Sequence, residues 1–476
     1  MIVTGQSGPS LTLGDRGSKP RPLKRAHPLR VRANFWLCCF IVALTPLLAG
    51  SKSPLWTGVL LVLLAVGCAS CPLSQLSRQQ LWLLASVLLL CAAFATYGYI
   101  QAMPAPAWFS ANPIWDRTNS LLGTAFPGRV SVRGAVPDRS LNNLLLFSLS
   151  FVSAYPLGAS RTLSLSFIRW IAWVGAAYAA YGLWQEWADP SQALWGPKTA
   201  YVGSVTGPFI GRSTAAAFFG SCTIICAVLT LREVERLDLR SFRTALLVKV
   251  PTALLLQLTI HLAGVTICLA ATTGTKSRAG IVIMFGAMAV ALWIAGLKLL
   301  PARYKLAILL LVGPFAFGLG AGVVGTGRVG SEGFFDPYRW ATYKSVITAI
   351  SSSPWLGTGW GTFPDIFPSY RTAEVSLWGT WPWAHSTPLE IAMEMGIPAA
   401  LLVCLAAVSL TATVISRAWL ARTERRFILA AVAGVAILAL LQTSIDFVLQ
   451  IPHFIIIFAT VAAVGLSRSL APISKA

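Results

Sequence analysis

The segment Trp381–Pro398, WPWAHSTPLEIAMEMGIP, sets one histidine and two glutamates at the head of a run that soon turns wholly apolar. His385 carries an imidazole that can accept the proton of an attacking alcohol. Glu390 and Glu394 are four residues apart, hence on one face of a helix. Carboxylates inside a membrane are costly and usually functional, but near its boundary pairing with an arginine or plain exposure serves equally well. Asp446 has the same two readings. A single loop histidine is more often a surface hydrogen-bonding group than a catalyst, and His27, His261 and His453 are read that way. His385 needs company to be more.

That company is a set of arginines. Arg212 in GPFIGRSTAAAFFG and Arg278 in TTGTKSRAG stand at the start of apolar runs among small residues, and Arg328, Arg339 and Arg371 follow in FFDPYRW and its surroundings. Small neighbours let a bulky anion approach the backbone, helix N-termini favour negative charge, and a guanidinium offers a fork of donors for phosphate. The plainer alternative is that each arginine snorkels to the membrane boundary. Several on one face alongside a histidine favour a site for an anion with a lipid tail.

The elements that carry these residues follow from composition. The chain has 476 residues, 56% hydrophobic and 11% charged, with a mean hydropathy of +0.70. A soluble globular class is excluded. Twelve apolar windows lie near 33–49, 54–72, 81–101, 141–159, 163–185, 213–231, 250–271, 279–297, 306–323, 397–416, 427–445 and 454–468. Each is close to what a helix needs to cross roughly 30 Å of hydrocarbon. None alternates as membrane strands do. The expected fold is an all-α polytopic bundle of about twelve spans.

With the N-terminus cytoplasmic, twelve crossings put both ends inside, and 24 of the 37 lysines and arginines then fall on cytoplasmic segments. The positive-inside bias holds. Arg212, Arg278, Arg328, Arg339, Arg371 and His385 all emerge on the outer face. The expected division is a basic cytoplasmic tail over 1–32, helices 1–9 over 33–323, a long periplasmic loop over 324–396, and helices 10–12 with a short cytoplasmic end over 397–476. The loop has room for two or three short helices, since RWATYKSVITAI is helical in period and SSSPWLGTGWGTFPD reads as a turn region. The net charge of +21 is assigned to topology and lipid headgroups rather than to nucleic acid. The first span is read as a retained anchor.

No Asp-x-Asp pair, HExxH motif or Cys/His cluster suggests a metal site, and no cofactor is called for. GTGRVG (Gly325, Gly327, Gly330) matches GxGxxG but follows a membrane span, where a dinucleotide fingerprint needs a strand. No GxSxG elbow occurs. The nine cysteines lie in or at the ends of spans, so no disulfide framework is implied, and CASC at Cys68–Cys71 is read as small soft residues at a helix end.

TTGTKSRAG, RWATYKSVITAISSSPWLGTGWGTF and AHSTPLEIAMEMGIP, in that order between spans, resemble the O-antigen ligase family, which includes Wzy-type polysaccharide polymerases. NPIWDRTNSLLG and GSVTGPFIGRSTAAAFFG are similar to earlier family segments. The resemblance covers about residues 110 to 450, and His-Ser, nine residues, Gly396 is its most specific signature. It implies a metal-independent, GT-C-type membrane glycosyltransferase of a bacterial inner membrane, taking its donor from a polyprenyl diphosphate on the periplasmic face. His385 would then activate the acceptor hydroxyl, and Arg278 and Arg339 would engage the diphosphate. Arg212 would join them, although Gly-Arg-Ser replaces the common Asn-Arg-Asn. Glu390 is a candidate to orient His385 or the acceptor. The acceptor would be lipid A core for a ligase or a carrier-linked glycan for a polymerase. A lipid-linked glycan transporter is the competing class, and it would more often show inverted repeats and mid-membrane charges.

Overall fold

Long apolar runs fold as helices because the hydrocarbon leaves backbone polar groups no partner except one another. The computed structural model describes residues 28–51, 54–106, 108–194, 196–237, 252–296, 337–375, 379–421 and 424–472. Among these are fifteen α-helices and one two-residue hairpin, Gln192–Ala193 paired with Gly196–Pro197. In chain order the helices are α1 (Pro28–Leu44), α2 (Pro54–Ala69), α3 (Arg78–Ala102), α4 (Ile114–Leu122), α5 (Asp138–Ala154), α6 (Arg161–Ala188), α7 (Arg212–Arg236), α8 (Thr252–Gly274) and α9 (Arg278–Gly296). They continue with α10 (Pro337–Ser352), α11 (Phe363–Tyr370), α12 (Thr387–Met395), α13 (Ile397–Leu420), α14 (Arg425–Ile445) and α15 (Pro452–Leu470).

The chain is an all-α, multi-pass membrane protein. Ten of the twelve expected windows hold helices long and apolar enough to cross a bilayer, and the window at 54–72 holds the shorter Pro54–Ala69. The window at 306–323, the GTGRVG segment, Arg328 and His27 lie outside the described residues. Helix α1 starts at Pro28, inside the expected 1–32 tail, because proline is well suited to the first helical position and LRVRAN continues without a breaker. The stretch 337–395 contains three helices, α10, α11 and α12.

Burial sorts the spans into layers. In their apolar stretches 89% of α7, 78% of α15 and 72% of α14 is buried, against 17% of α3 and α8 and 11% of α13. Helices α7, α14 and α15 form the centre, with Phe218, Phe219, Ile224, Leu429, Leu438 and Phe454 in one continuous core. The outer helices keep Leu89, Leu256, Leu402 and Leu405 exposed for lipid.

At one end, loops and short helices are bound into a cap. Gln101, at the end of α3, donates to the carbonyls of Leu356 (2.6 Å) and Glu394 (2.9 Å) and accepts from Trp360 N (3.1 Å). Glu394 Oε2 accepts from Gly361 N and Oε1 from Phe363 N, each at 2.9 Å. Thr358 N and Gly359 N donate to the carbonyls of Met393 and Glu394. The turn at 353–362 is thereby fixed to the C-terminus of α12. At the opposite end Glu233 binds Arg169, Arg232 and Arg236, Glu424 binds Arg161 and Arg232, and Arg426 binds Glu235. Cys68 and Cys71 donate to the Leu149 and Val152 carbonyls of α5, and all nine cysteines are free.

Several cap glycines leave no steric slack, Gly357 and Gly396 against backbone atoms. Gly357 has φ +75°, and a Cβ there would stand 2.3 Å from the Glu394 carbonyl oxygen. Gly357→Ala must strain the backbone and displace α12, a cost of about 2 kcal/mol or more. The expected result is a thermal unfolding midpoint several degrees below that of the parent protein in the same detergent.

Candidate functional site

Three helices begin around one cavity. Arg212 opens α7 and Arg278 opens α9, while Arg339 lies in the first turn of α10. The three arginines line a cavity of about 320 Å³ together with Ser213, Ser277, Trp340, Tyr343, Gln442 and Asp446. The first turns of α7 and α9 form part of the wall, so backbone N–H groups and the positive ends of two helix dipoles add to the guanidinium charge. Arg212 lies over the Tyr201 ring, 5.1 Å from its centroid. Gln442 Nε2 donates to the Ser213 carbonyl (2.7 Å), joining α14 to the start of α7.

Asp446 follows the last residue of α14 and is almost fully buried. Arg339 Nη2 donates to its Oδ2 (3.0 Å), Arg339 Nη1 to the Ile445 carbonyl (2.9 Å), and Phe447 N to Asp446 Oδ1 (2.8 Å). His385 Nδ1 stands 3.6 Å from Asp446 Oδ1, just outside direct hydrogen-bond range. Burial alone would raise the Asp446 carboxyl, but His385, Arg339 and Ser213 together hold it down at about 2.

His385 is set by its surroundings. Its ring meets Trp381 edge-on at 5.7 Å and Phe447 at 4.9 Å, and Phe447 stacks on Trp383 at 4.2 Å. Tyr343 Oη, four residues beyond Arg339 on α10, donates to the His385 carbonyl (2.9 Å). The backbone at His385 is left-handed, with φ +54°. The other two non-glycine residues with positive φ among the described residues are Tyr201, under Arg212, and Lys276, two before Arg278. Such conformations cost of order 1–2 kcal/mol and persist only where the surroundings impose them.

The carboxylate facing His385 is therefore Asp446. Glu390 turns elsewhere: its Oε2 accepts from Ala384 N at 2.7 Å, which fixes the backbone one residue before the histidine. Glu390 and Glu394 are both buried rather than exposed; backbone N–H groups bind both, Gln450 also binds Glu390, and Arg139 acts on both electrostatically without a direct ion pair. Arg371 lies outside the cavity; its guanidinium donates to the Gly379 carbonyl and sits over Trp381, 5.8 Å from the centroid. His453 is buried and stacks on Phe209, and His261 is buried within α8. Tyr343, Trp340 and Gln442 were not singled out in the sequence. A helical projection from Arg339 reaches Tyr343, but nothing local marks the other two.

The titratable groups give signed expectations. Asp446 lies below its ordinary 3.8, so its stabilisation is complete above about pH 4 and is lost as pH falls towards 2. Asp446→Asn should cost about 2 kcal/mol near pH 7, and thermal midpoints of the two proteins should converge as pH is lowered from 4. Burial raises both Glu390 and Glu394, and Glu390 raises Glu394 further. Protons held in the folded state but lost from the unfolded chain make stability fall as pH rises from the ordinary glutamate value of 4.5 through the raised range of the folded pair. Glu390→Gln should flatten that decline, read as unfolding midpoints across the same window.

Residues 263–404 match the family model described as O-Antigen ligase. The matched segment holds Arg278, Arg339, His385, Glu390 and Glu394; Arg212 and Asp446 lie outside it. No curated protein matches the chain.

Proposed function

For a chain that belongs to the O-antigen ligase/Wzy-type family, with its ligase- or polymerase-type glycan transfer in a membrane, we propose ligation of a glycan from a polyprenyl diphosphate to a sugar hydroxyl of lipid A core. The observation that carries this reading is the convergence of Arg212, Arg278 and Arg339 on one cavity whose buried Asp446 faces His385. Three guanidinium groups at three helix starts suit a diphosphate, and His385 supplies the base that its acceptor needs.

The acceptor oxygen attacks the anomeric carbon as the bond from that carbon to the diphosphate oxygen breaks. The hydroxyl proton passes to His385 Nε2. Nδ1 faces Asp446, which keeps the proton of the neutral imidazole on that side and stabilises the imidazolium that forms. Asp446 is a positioning residue in this scheme, and so is Glu390, acting through Ala384 N. Charge that develops on the leaving diphosphate meets groups already fixed in place, which is where electrostatic catalysis is strongest. Arginine supplies this charge itself, so transfer is expected to continue in the presence of a chelator.

Charge bias along the sequence supports the orientation: with the end away from the cavity cytoplasmic, 24 of the 37 lysines and arginines fall on cytoplasmic segments, as the positive-inside rule asks. The cavity then opens on the periplasmic face of a bacterial inner membrane.

The test is transfer by purified protein in nanodiscs, with a polyprenyl-diphosphate glycan as donor, chelator present, and lipid A core supplied in one tube only. Product on lipid A core is expected, falling at least 100-fold in His385→Ala and about tenfold or more in Arg278→Ala and Arg339→Ala. A ladder of longer glycans on polyprenol in both tubes would make the protein a polymerase. Silence in both, with glycan-lipid crossing the bilayer, would make it a transporter.

A further inference from the structure

A displacement at carbon needs its nucleophile and leaving group on opposite sides of the reacting atom, so a cavity that holds the diphosphate leaves the acceptor to be held elsewhere near the same base. The fold provides a second cavity, of about 240 Å³, bounded by α3, α5, α12, the 449–450 turn and α15. It adjoins the first through one corner of the chain: Ile445 and Asp446 line the arginine cavity, and Leu449 and Gln450 line the second. His385 stands at this junction. Its neighbour Ala384 is bound by Glu390, which lines the second cavity, while its own imidazole faces Asp446, which lines the first.

The two cavities differ in chemistry. Arginines line the first, whereas the polar wall of the second is Ser140, Asn143, Thr387, Glu390, Glu394 and Gln450, and the rest of its lining is apolar and aromatic, the Trp360 indole included. Asn143 Nδ2 donates to the Gln450 carbonyl (3.0 Å), Thr387 and Thr443 share a hydroxyl hydrogen bond (3.0 Å), and Gln450 Nε2 donates to Thr387 Oγ1 (3.4 Å). These bonds fix the side chains and leave acceptor capacity on Asn143 Oδ1 and Gln450 Oε1. Phe94 packs edge-on against Trp360 at 5.3 Å and holds the indole plane. Amides, carboxyls and a hydroxyl around an aromatic face match a neutral sugar ring, which offers directional hydroxyls at its edge and C–H groups on its faces.

We infer that this second cavity is the acceptor subsite, taking one neutral sugar ring of the acceptor saccharide against Trp360, with its hydroxyls on Asn143, Thr387, Glu390 and Gln450. The inference rests on the transfer reading above and adds to it the location and chemical class of the acceptor.

The experiment uses the full chain in nanodiscs, with Asn143→Leu to remove a polar contact and Leu144→Trp to fill the cavity. The soluble core oligosaccharide freed of lipid A serves as acceptor and as binding probe. The KM for this oligosaccharide should rise about tenfold in Asn143→Leu, the worth of a lost buried hydrogen bond. It should rise at least as much in Leu144→Trp, which excludes the ring, with the KM for the polyprenyl-diphosphate donor unchanged in both. Saturation-transfer NMR should show oligosaccharide binding lost in both variants and kept in Arg278→Ala. Unchanged acceptor KM and unchanged NMR contact in either variant, with its unfolding midpoint intact, would overturn the subsite while leaving transfer standing. A parent protein that transfers nothing, yet binds the oligosaccharide and loses it in the variants, would support the subsite and overturn the transfer. Absence of both would overturn both.

Discussion

Asp446 is the point at which separately delivered groups are held together. A carboxylate buried at the end of a membrane span is costly unless charge and hydrogen bonds compensate it. Here Arg339 arrives from α10, Phe447 N from the next residue and His385 from the segment before α12. Arg339 also binds the Ile445 carbonyl, so the C-terminus of α14 is capped by the same side chain that lines the cavity. Remove the carboxylate, and Arg339, His385 and the Phe447 N–H each lose a shared partner.

Around that point the fold divides its work. The central helices α7 and α14 are bound by small and aromatic side chains, and the buried length of α7 fixes the helix start that carries Arg212. The cap does the same for His385 by another route: Glu394 fixes the glycine-rich turn, Gln101 ties that turn to α3, and Glu390 fixes the backbone beside the histidine. Left-handed conformations occur at Tyr201, under Arg212, at Lys276, two residues before Arg278, and at His385 itself. Each is a local cost imposed by surrounding structure, as expected where position matters more than local stability.

The spans were legible in the sequence because their apolar runs are long and carry few charges, and the helix starts at Arg212 and Arg278 fall within a residue of where those runs begin. The gathering of arginines was legible for a different reason: topology alone puts alternate ends on one face, and Arg212, Arg278 and Arg339 meet there. What was not legible is which carboxylate serves which partner. Asp446 reaches His385 only because the chain is extended after α14 and left-handed at the histidine, and neither conformation leaves a mark in residue type. Glu390 and Glu394 were visible as a same-face pair, but their acceptance of backbone N–H groups from Ala384, Gly361 and Phe363 depends on how distant loops fold over them. The second cavity was invisible for the same reason, being made where α3, α5 and α15 meet the cap.

The most direct measurement is a cryo-electron microscopy structure of the protein in nanodiscs with a non-hydrolysable polyprenyl-diphosphate saccharide. Diphosphate density is expected among the guanidinium groups of Arg212, Arg278 and Arg339, with the anomeric carbon towards His385. Diphosphate density at the opposite, arginine-rich end of the bundle, with the cavity empty, would contradict this expectation.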